Sequence, residues 1–416
     1  MSKKPKLSFW QIWNLSFGFL GVQIGYSLQN SNTSTIFESL GADVSHLSYF
    51  WLAAPLAGMV IQPIIGMFSD GTWTRFGRRI PYILGGALIS TIALMLMPNC
   101  PTLLALAPLA MGAFILLFMD LSFNVTMQPF RALVADMLDD SQKTEGYVVQ
   151  TFLINIGAVI GAILPLIMTW AGVSDEVVPG QVSPHIAWSY YIGGAILLAT
   201  VLVTAFKTKE YPPKEFAEYN GLAEVNDDEA AEKTSFLTLL KNTPTAMIKL
   251  GITQFFSWAA LFIISEGATQ TWVGVLNGVY PIPACIAAIF MTKLAERFGN
   301  KSVYATCLTF GALGFAGLCL LTDKYALMLP MLCIGIAWAG ILAMPYAILS
   351  RTVDPQRMGV YMGIFNFTIT IPQIVIGLTG GVIIKYCFGS NAVMMLALAC
   401  VFMLLAAVSV AFIKER

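Results

Sequence analysis

The sequence predicts an all-α membrane protein of twelve transmembrane helices arranged as two six-helix bundles. Three observations predict it. First, 57% of the 416 residues are hydrophobic and only 11% are charged, with a mean hydropathy of +0.74, whereas a soluble domain carries about 25% charged residues. Second, the apolar residues fall in runs of about 20, the length that crosses roughly 30 Å of hydrocarbon. Third, the loop Arg75-Phe76-Gly77-Arg78-Arg79 returns as Arg297-Phe298-Gly299-Asn300-Lys301. Each copy follows the second apolar run of its half, so the chain reads as a duplication. Two fused half-bundles around one cavity that faces either side in turn are how secondary transporters are built. Transport is therefore the expectation.

In chain order the predicted spans lie near residues 9–30, 46–68, 80–98, 102–128, 147–170 and 187–206, then 245–265, 271–293, 302–321, 325–348, 358–384 and 390–413. The stretch 207–241 is the one long polar segment. It carries Pro212-Pro213 and the acidic run Asp227-Asp228-Glu229, which marks a linker. The domains are thus 1–206, a cytoplasmic linker 207–241, and 242–416. Of the 23 Lys and Arg, all but Lys324 and Lys385 fall on the side of the termini and the linker, so the positive-inside rule places both termini in the cytoplasm. Lys3, Lys4 and Lys6 precede a first span without a small-residue cleavage pattern, which reads as a retained helix. The expected location is the cytoplasmic membrane, with every span in the bilayer.

Composition excludes several classes. A net charge of zero offers no footing for nucleic acid. The seven cysteines sit in or beside apolar runs, as small core residues do. His46 and His185 are too few and too far apart for a metal site. No nucleotide-binding loop, nucleophile elbow or metal cluster is present, so neither an enzyme nor a cofactor is expected.

Charge inside a membrane is costly and usually functional, which singles out Asp120 within the fourth span. A buried carboxylate there serves either as a proton carrier or as a permanently paired strut between helices. Arg131 lies eleven residues on, about 16 Å along a straight helix. It reaches Asp120 only if Pro129 breaks the helix; otherwise it works at the cytoplasmic end of a cavity or anchors the span by its charge. Gln23, Tyr26 and Asn30 recur at helical spacing on the first span, as do Asp120 and Asn124 on the fourth and Asn366, Thr370 and Gln373 on the eleventh. Asn155, Gln254, Trp258 and Trp338 add amides and rings. Amides satisfy hydroxyls and rings cover apolar sugar faces, so the set suits a neutral, hydroxyl-rich ligand. Glu266 ends the seventh span, either at the outer mouth of a cavity or in solvent. At the cytoplasmic side Asp70, Arg75, Gly77, Arg78 and Arg79 form a loop whose charges can latch an inner gate.

These strings resemble a known family. Gly66-x-x-x-Asp70 followed by Gly77-Arg78-Arg79, with twelve spans, resembles the major facilitator superfamily. Gly21-Val22-Gln23-Ile24-Gly25-Tyr26-Ser27-Leu28-Gln29, Trp51-Leu52-x-x-Pro55-x-x-Gly58, Gln62-Pro63-Ile64-Ile65-Gly66-x-x-Ser69-Asp70 and Pro129-x-Arg131-Ala132-Leu133-x-Ala135-Asp136 are similar to plant sucrose transporters, within the glycoside–pentoside–hexuronide symporter group. The resemblance implies that Asp120 matches the proton-coupling aspartate and Arg131 the arginine near the sugar path. It implies a proton-coupled importer of a disaccharide of the sucrose or maltose type, with the proton as its coupling ion. A monomer is expected. At the end of the seventh span, where the family often reads Asp-Thr-Asp, this chain has Ser265-Glu266-Gly267. Alternatives are a sodium-coupled glycoside symporter and a drug or metabolite exporter, the latter suggested by Gly157-x-x-x-Gly161-x-x-x-Pro165.

Overall fold

Ser8 opens the first helix with a capping box: its hydroxyl accepts the Gln11 N–H at 3.4 Å and the Gln11 side chain accepts the Ser8 N–H at 2.8 Å. This arrangement satisfies two N–H groups that a helix start leaves bare. The computed structural model describes residues 4–41, 47–104, 106–222, 236–266, 280–321, 323, 325–389, 391 and 393–413. Among these residues the structure is helical, with a lone backbone bridge between Thr74 and Gly77 and no strand.

The helices are α1 (Phe9–Ser39), α2 (Leu47–Gly71), α3 (Ile80–Leu96), α4 (Cys100–Leu103), α5 (Pro108–Met137), α6 (Lys143–Trp170) and α7 (Pro184–Lys207). Two short ones, α8 (Pro213–Asn220) and α9 (Phe236–Lys241), follow within the segment read as a linker. Then come α10 (Thr245–Glu266), α11 (Pro281–Phe298), α12 (Asn300–Leu320), α13 (Met328–Leu349), α14 (Met358–Phe365), α15 (Phe367–Val382) and α16 (Val393–Ser409). Among the described residues nine helical stretches are long and apolar enough to cross a membrane.

Several helices differ in extent from the apolar runs. α1 continues to Ser39 instead of ending near residue 30, because its polar residues bond back along the helix: Asn32 donates to the Leu28 carbonyl at 2.9 Å and Thr33 to that of Gln29 at 2.6 Å. α5 continues unbroken through Pro129 to Met137 and so contains Arg131. The eleventh run is two helices, α14 and α15, meeting at Asn366, whose N–H is shared between the Met362 and Gly363 carbonyls. Of the eighth run, residues 271–279 lie outside the described residues, and α11 reaches Phe298. The acidic run at 227–229, His46 and Lys324 also lie outside what is described, as do the side chains of Trp51 and Glu266.

α1 packs on α5, α6 and α7, and α3 on α5 and α7, while α10 packs on α13, α15 and α16, and α12 on α13 and α16. Contacts between these two groups run along two seams. In one, α2 meets α14 and α15 and α5 meets α14; in the other, α6 meets α11 and α13. The first seam is tight because Gly66 has no side chain: a Cβ there would overlap the Gly359 carbonyl.

Candidate substrate and proton site

Asp120 sits in the middle of α5, 1% exposed. Its partner is Gln29 of α1, whose amide Nε2 donates to Asp120 Oδ1 at 2.5 Å. Asp120 Oδ2 and Gln29 Oε1 find no hydrogen-bond partner among the described residues. One turn along, Asn124 donates to the Asp120 carbonyl at 2.7 Å and accepts from Gln62 Nε2 of α2 at 2.6 Å. A Cβ built on Gly58 of α2 would stand 2.9 Å from Asn124 Oδ1 and 3.3 Å from Asn366 Nδ2. Gly58 thus marks where an amide of α5 meets one from the junction of α14 and α15, across the seam. Gln62 Oε1 and Asn366 Nδ2 are again buried and unpartnered.

A second cluster lies on α10 and α13. Gln254, fully buried, accepts from the Tyr304 hydroxyl at 3.0 Å and the Ser257 hydroxyl at 3.2 Å, and its Nε2 has no partner among the described residues. The rings of Trp258 and Trp338 meet edge to face at 5.4 Å, and Tyr280 meets Trp338 likewise at 5.5 Å. The Trp258 Nε1 has no hydrogen-bond partner among the described residues. Asn155, on α6, donates to the Thr151 carbonyl at 2.8 Å and leaves its Oδ1 free. Buried polar atoms are nearly always paired, because each bare one costs about 1–3 kcal/mol. These atoms leave unused hydrogen-bonding capacity on α1, α2, α5, α6 and α10 and at the junction of α14 and α15.

Arg131 is not paired with Asp120. With α5 unbroken the two stand about 16 Å apart, and the Arg131 guanidinium lies 4.5 Å over the Tyr346 ring of α13. Tyr346 stacks on Tyr147 at 5.9 Å, and the Tyr147 hydroxyl donates to the Arg131 carbonyl at 3.0 Å. Tyr26 faces Phe123 at 5.8 Å and hydrogen-bonds Asn30. Gln23 instead lies in the α1–α6 contact, where a Cβ on Gly157 would stand 3.0 Å from its own. Gln373 is half-buried on α15.

The Arg75–Arg79 loop closes one end of the first seam. Asp70 accepts the N–H groups of Gly359 at 2.9 Å and Val360 at 2.8 Å, at the positive N-terminal end of α14, and Arg79 Nη2 at 2.5 Å. Asp136 binds Arg78 at 2.8 Å and Arg79 at 2.8 Å, and Arg78 Nη2 reaches the Pro355 carbonyl at 3.2 Å. Gln128 donates to the Gly359 carbonyl. Gly77, with φ of 106°, bends the loop in a way other residues resist. That bend turns the N–H groups of Arg78, Arg79 and Ile80 onto the Glu210 carboxylate at 2.8–3.2 Å. Burial pushes the Glu210 carboxyl up from the usual carboxylate range, and the N–H groups of Ile80 and Arg79 oppose that shift. Arg75 is exposed and lies over Phe76, outside this network. At the second seam Lys143 donates to the Ser350 carbonyl at 2.9 Å, and Arg351 to Thr144 Oγ1 at 2.9 Å.

Sequence reasoning did not single out Gln128, Lys143, Glu210 or Tyr346, and it met Gln29, Gln62 and Asp136 only as ends of strings. Gln29 carried a usable signal: it stands one residue before Asn30, and a stripe drawn through Val22, Gly25 and Gln29 is equally helical. Glu210 had none, being one acid among several in a polar linker.

Among the described residues, a helical bundle with nine stretches long and apolar enough to cross a membrane has the build of a multi-pass membrane protein. The chain belongs to the family described as MFS/sugar transport protein, which matches residues 36–387. It is 24% identical over 420 residues to Sucrose transport protein SUC4 of Arabidopsis thaliana, covering 87% of this chain and 81% of that one. It is 26% identical over 291 residues to the General alpha-glucoside permease of Schizosaccharomyces pombe, covering 65% of this chain and 49% of that one. Among solved structures its fold is similar to the proton:xylose symporter XylE, with a TM-score of 0.74 at 12% identity over 98% of this chain and 96% of the other. The Escherichia coli fucose:proton symporter FucP gives a TM-score of 0.74 at 13% identity, with 98% of each chain covered. The chain is a major facilitator sugar transporter resembling those of sucrose and α-glucosides.

Proposed function

We propose that the protein is a proton-coupled importer of a disaccharide of the sucrose or maltose type. In this reading it has twelve spans in two bundles, 1–206 and 242–416, joined by a cytoplasmic linker at 207–241. It works as a monomer with both termini in the cytoplasm. The observation that carries the proposal is Asp120, a carboxylate buried at mid-helix whose second oxygen has no partner and whose neighbours are amides. A cavity that wets it on one side and then the other lets it take up and release a proton.

The mechanism follows from the seams. With Asp70 holding the Gly359 and Val360 N–H groups and Arg78 the Pro355 carbonyl, the cytoplasmic end is closed and the sugar enters from the opposite side. Gln62, Asn124 and Asn366 accept and donate to its hydroxyls across the first seam, while Asn155 of α6 and Gln254 of α10 offer one further amide from each half. Trp258 and Trp338 cover its apolar face. Binding across both seams favours the state in which the halves close around sugar and proton, and the ligands shift the equilibrium only by that differential affinity. Opening at the cytoplasmic end breaks the latch, and Arg131, at that end of α5, then favours the anion of Asp120 as the proton leaves.

The test is uptake of labelled sucrose and maltose into proteoliposomes with and without an imposed inward proton gradient, with a sodium gradient as control. Accumulation that needs the proton gradient supports the proposal; accumulation that needs sodium overturns the coupling ion. Asp120→Asn is expected to lose uphill accumulation and keep exchange of sugar across the membrane. Normal accumulation by that variant would remove Asp120 from the coupling role.

A further inference from the structure

Gln29 is 1% exposed and shares with Asp120 a hydrogen bond of 2.5 Å between two helices, α1 and α5. What remains on each side of that bond is an acceptor. Gln29 Oε1 and Asp120 Oδ2 are both buried, and neither has a donor among the described residues. A primary amide and a carboxylic acid can join by two antiparallel hydrogen bonds, N–H to O and O–H to O, whereas an amide and a carboxylate can form only the first. A single proton on Oδ2 therefore resolves both unsatisfied atoms at once, by donating to Gln29 Oε1.

Resting on the reading of Asp120 as the proton carrier, we propose that Gln29 is the positioning residue through which α1 senses that proton. With Asp120 protonated the two side chains pair doubly and α1 is held against α5. On release the O–H bond breaks, its electron pair stays on Oδ2 and the proton passes to water. One hydrogen bond is lost, two bare acceptors face each other, and α1 loosens. The segment it frees is the end of α1 beyond Gln29, which continues as helix to Ser39. Proton occupancy thus sets the position of that end.

The neighbouring charges are compatible with this local role. Tyr26 on α1 and Tyr190 on α7, whose hydroxyl donates to the Leu28 carbonyl at 3.2 Å, are titratable groups beside the pair, and Tyr280 lies near Tyr26. Cys100 of α4 lies near the outer end of α5, beside Gly112. Asp70 on α2, Arg79 and Tyr82 at the start of α3, Tyr147 on α6, Tyr361 on α14 and Arg131 on α5 itself lie towards the latched end.

The experiment is infrared difference spectroscopy of the full-length protein in liposomes across a pH titration, reading the carbonyl stretch of the protonated Asp120, assigned by its loss in Asp120→Asn. In Gln29→Met, of similar shape without polar atoms, the band is expected to move to the higher frequency of an acid with no hydrogen bond. Gradient-driven accumulation is expected to fall about tenfold, the factor that roughly one hydrogen bond supplies. Gln29→Glu, which can still share one proton with Asp120, is expected to keep the low-frequency band and so controls for folding. A band present but unmoved in Gln29→Met overturns the role of Gln29 and leaves the proton carrier standing. Absence of the band in the wild type at every pH overturns both.

Discussion

Neutralising Asp70 tests the latch most directly. Asp70→Asn keeps the shape of the side chain but only one acceptor oxygen, so it loses the ion pair to Arg79 at 2.5 Å and one of the two N–H groups from Gly359 and Val360. Removing one partner of an isolated buried ion pair costs about 3–5 kcal/mol. Arg79 lies in the same half as Asp70 and keeps Asp136 at 2.8 Å, so what is lost across the seam is one charged hydrogen bond from Gly359 or Val360, about 2 kcal/mol. That energy belongs to the closed state alone, because it is made across the seam. The closed-to-open ratio should therefore fall about 30-fold. The assay is the rate at which a membrane-impermeant thiol reagent, applied from the latched side, labels a cysteine at Ser350, which is 1% exposed behind the seam. Ser350→Cys alone gives the reference rate, and Ser350→Cys with Asp70→Asn should label about 30-fold faster. A folded double variant that labels at the reference rate would refute the latch.

Gly66→Val should also hold this end open, since its Cβ would overlap the Gly359 carbonyl; the same labelling measurement should show fast reaction and substrate-driven uptake should be lost. Glu210→Ala leaves the N–H groups of Arg78, Arg79 and Ile80 without their acceptor. It should lower stability in detergent by about 2 kcal/mol, with Glu210→Gln milder, as read by thermal unfolding. Lys4, near the latch and 5.8 Å from the Phe216 ring, has its ammonium pushed down to about 8, first by burial and then by Lys143. The folded state then binds fewer protons than the unfolded chain between about pH 8 and 10.5, so stability should rise across that window and be flat below it. Lys4→Met should abolish the rise and raise the melting temperature at pH 7.

The membrane made much of this architecture readable in the sequence. Apolar runs of fixed length follow from the bilayer, and a charge such as Asp120 stands out because hydrocarbon tolerates so few. Asp70, Arg78 and Arg79 were legible for the same reason, being charges gathered in one short loop between two runs. The partners were not legible, because they depend on how helices rotate against each other. Hydropathy ended the fourth run near residue 128, yet Asp136 lies inside the same helix, buried at 4% exposure by two arginines. Gln29 faces Asp120 while Gln23, on the expected stripe, faces α6. Arg75 matches Arg78 and Arg79 in type, but the turn at Gly77 sends it to solvent.

Residues 350–357 join α13 to α14 and are gripped at both ends. Lys143 holds the carbonyl at the negative end of α13, and Asp70 holds the N–H groups at the positive end of α14. The connection therefore acts as a gauge of fixed length. One extra residue would leave either Lys143 or Asp70 without its helix end, whatever the residue's chemistry. Insertions should be rejected there and accepted in the polar stretch before α10, so the tolerance of the chain to length change is set by what each loop must span.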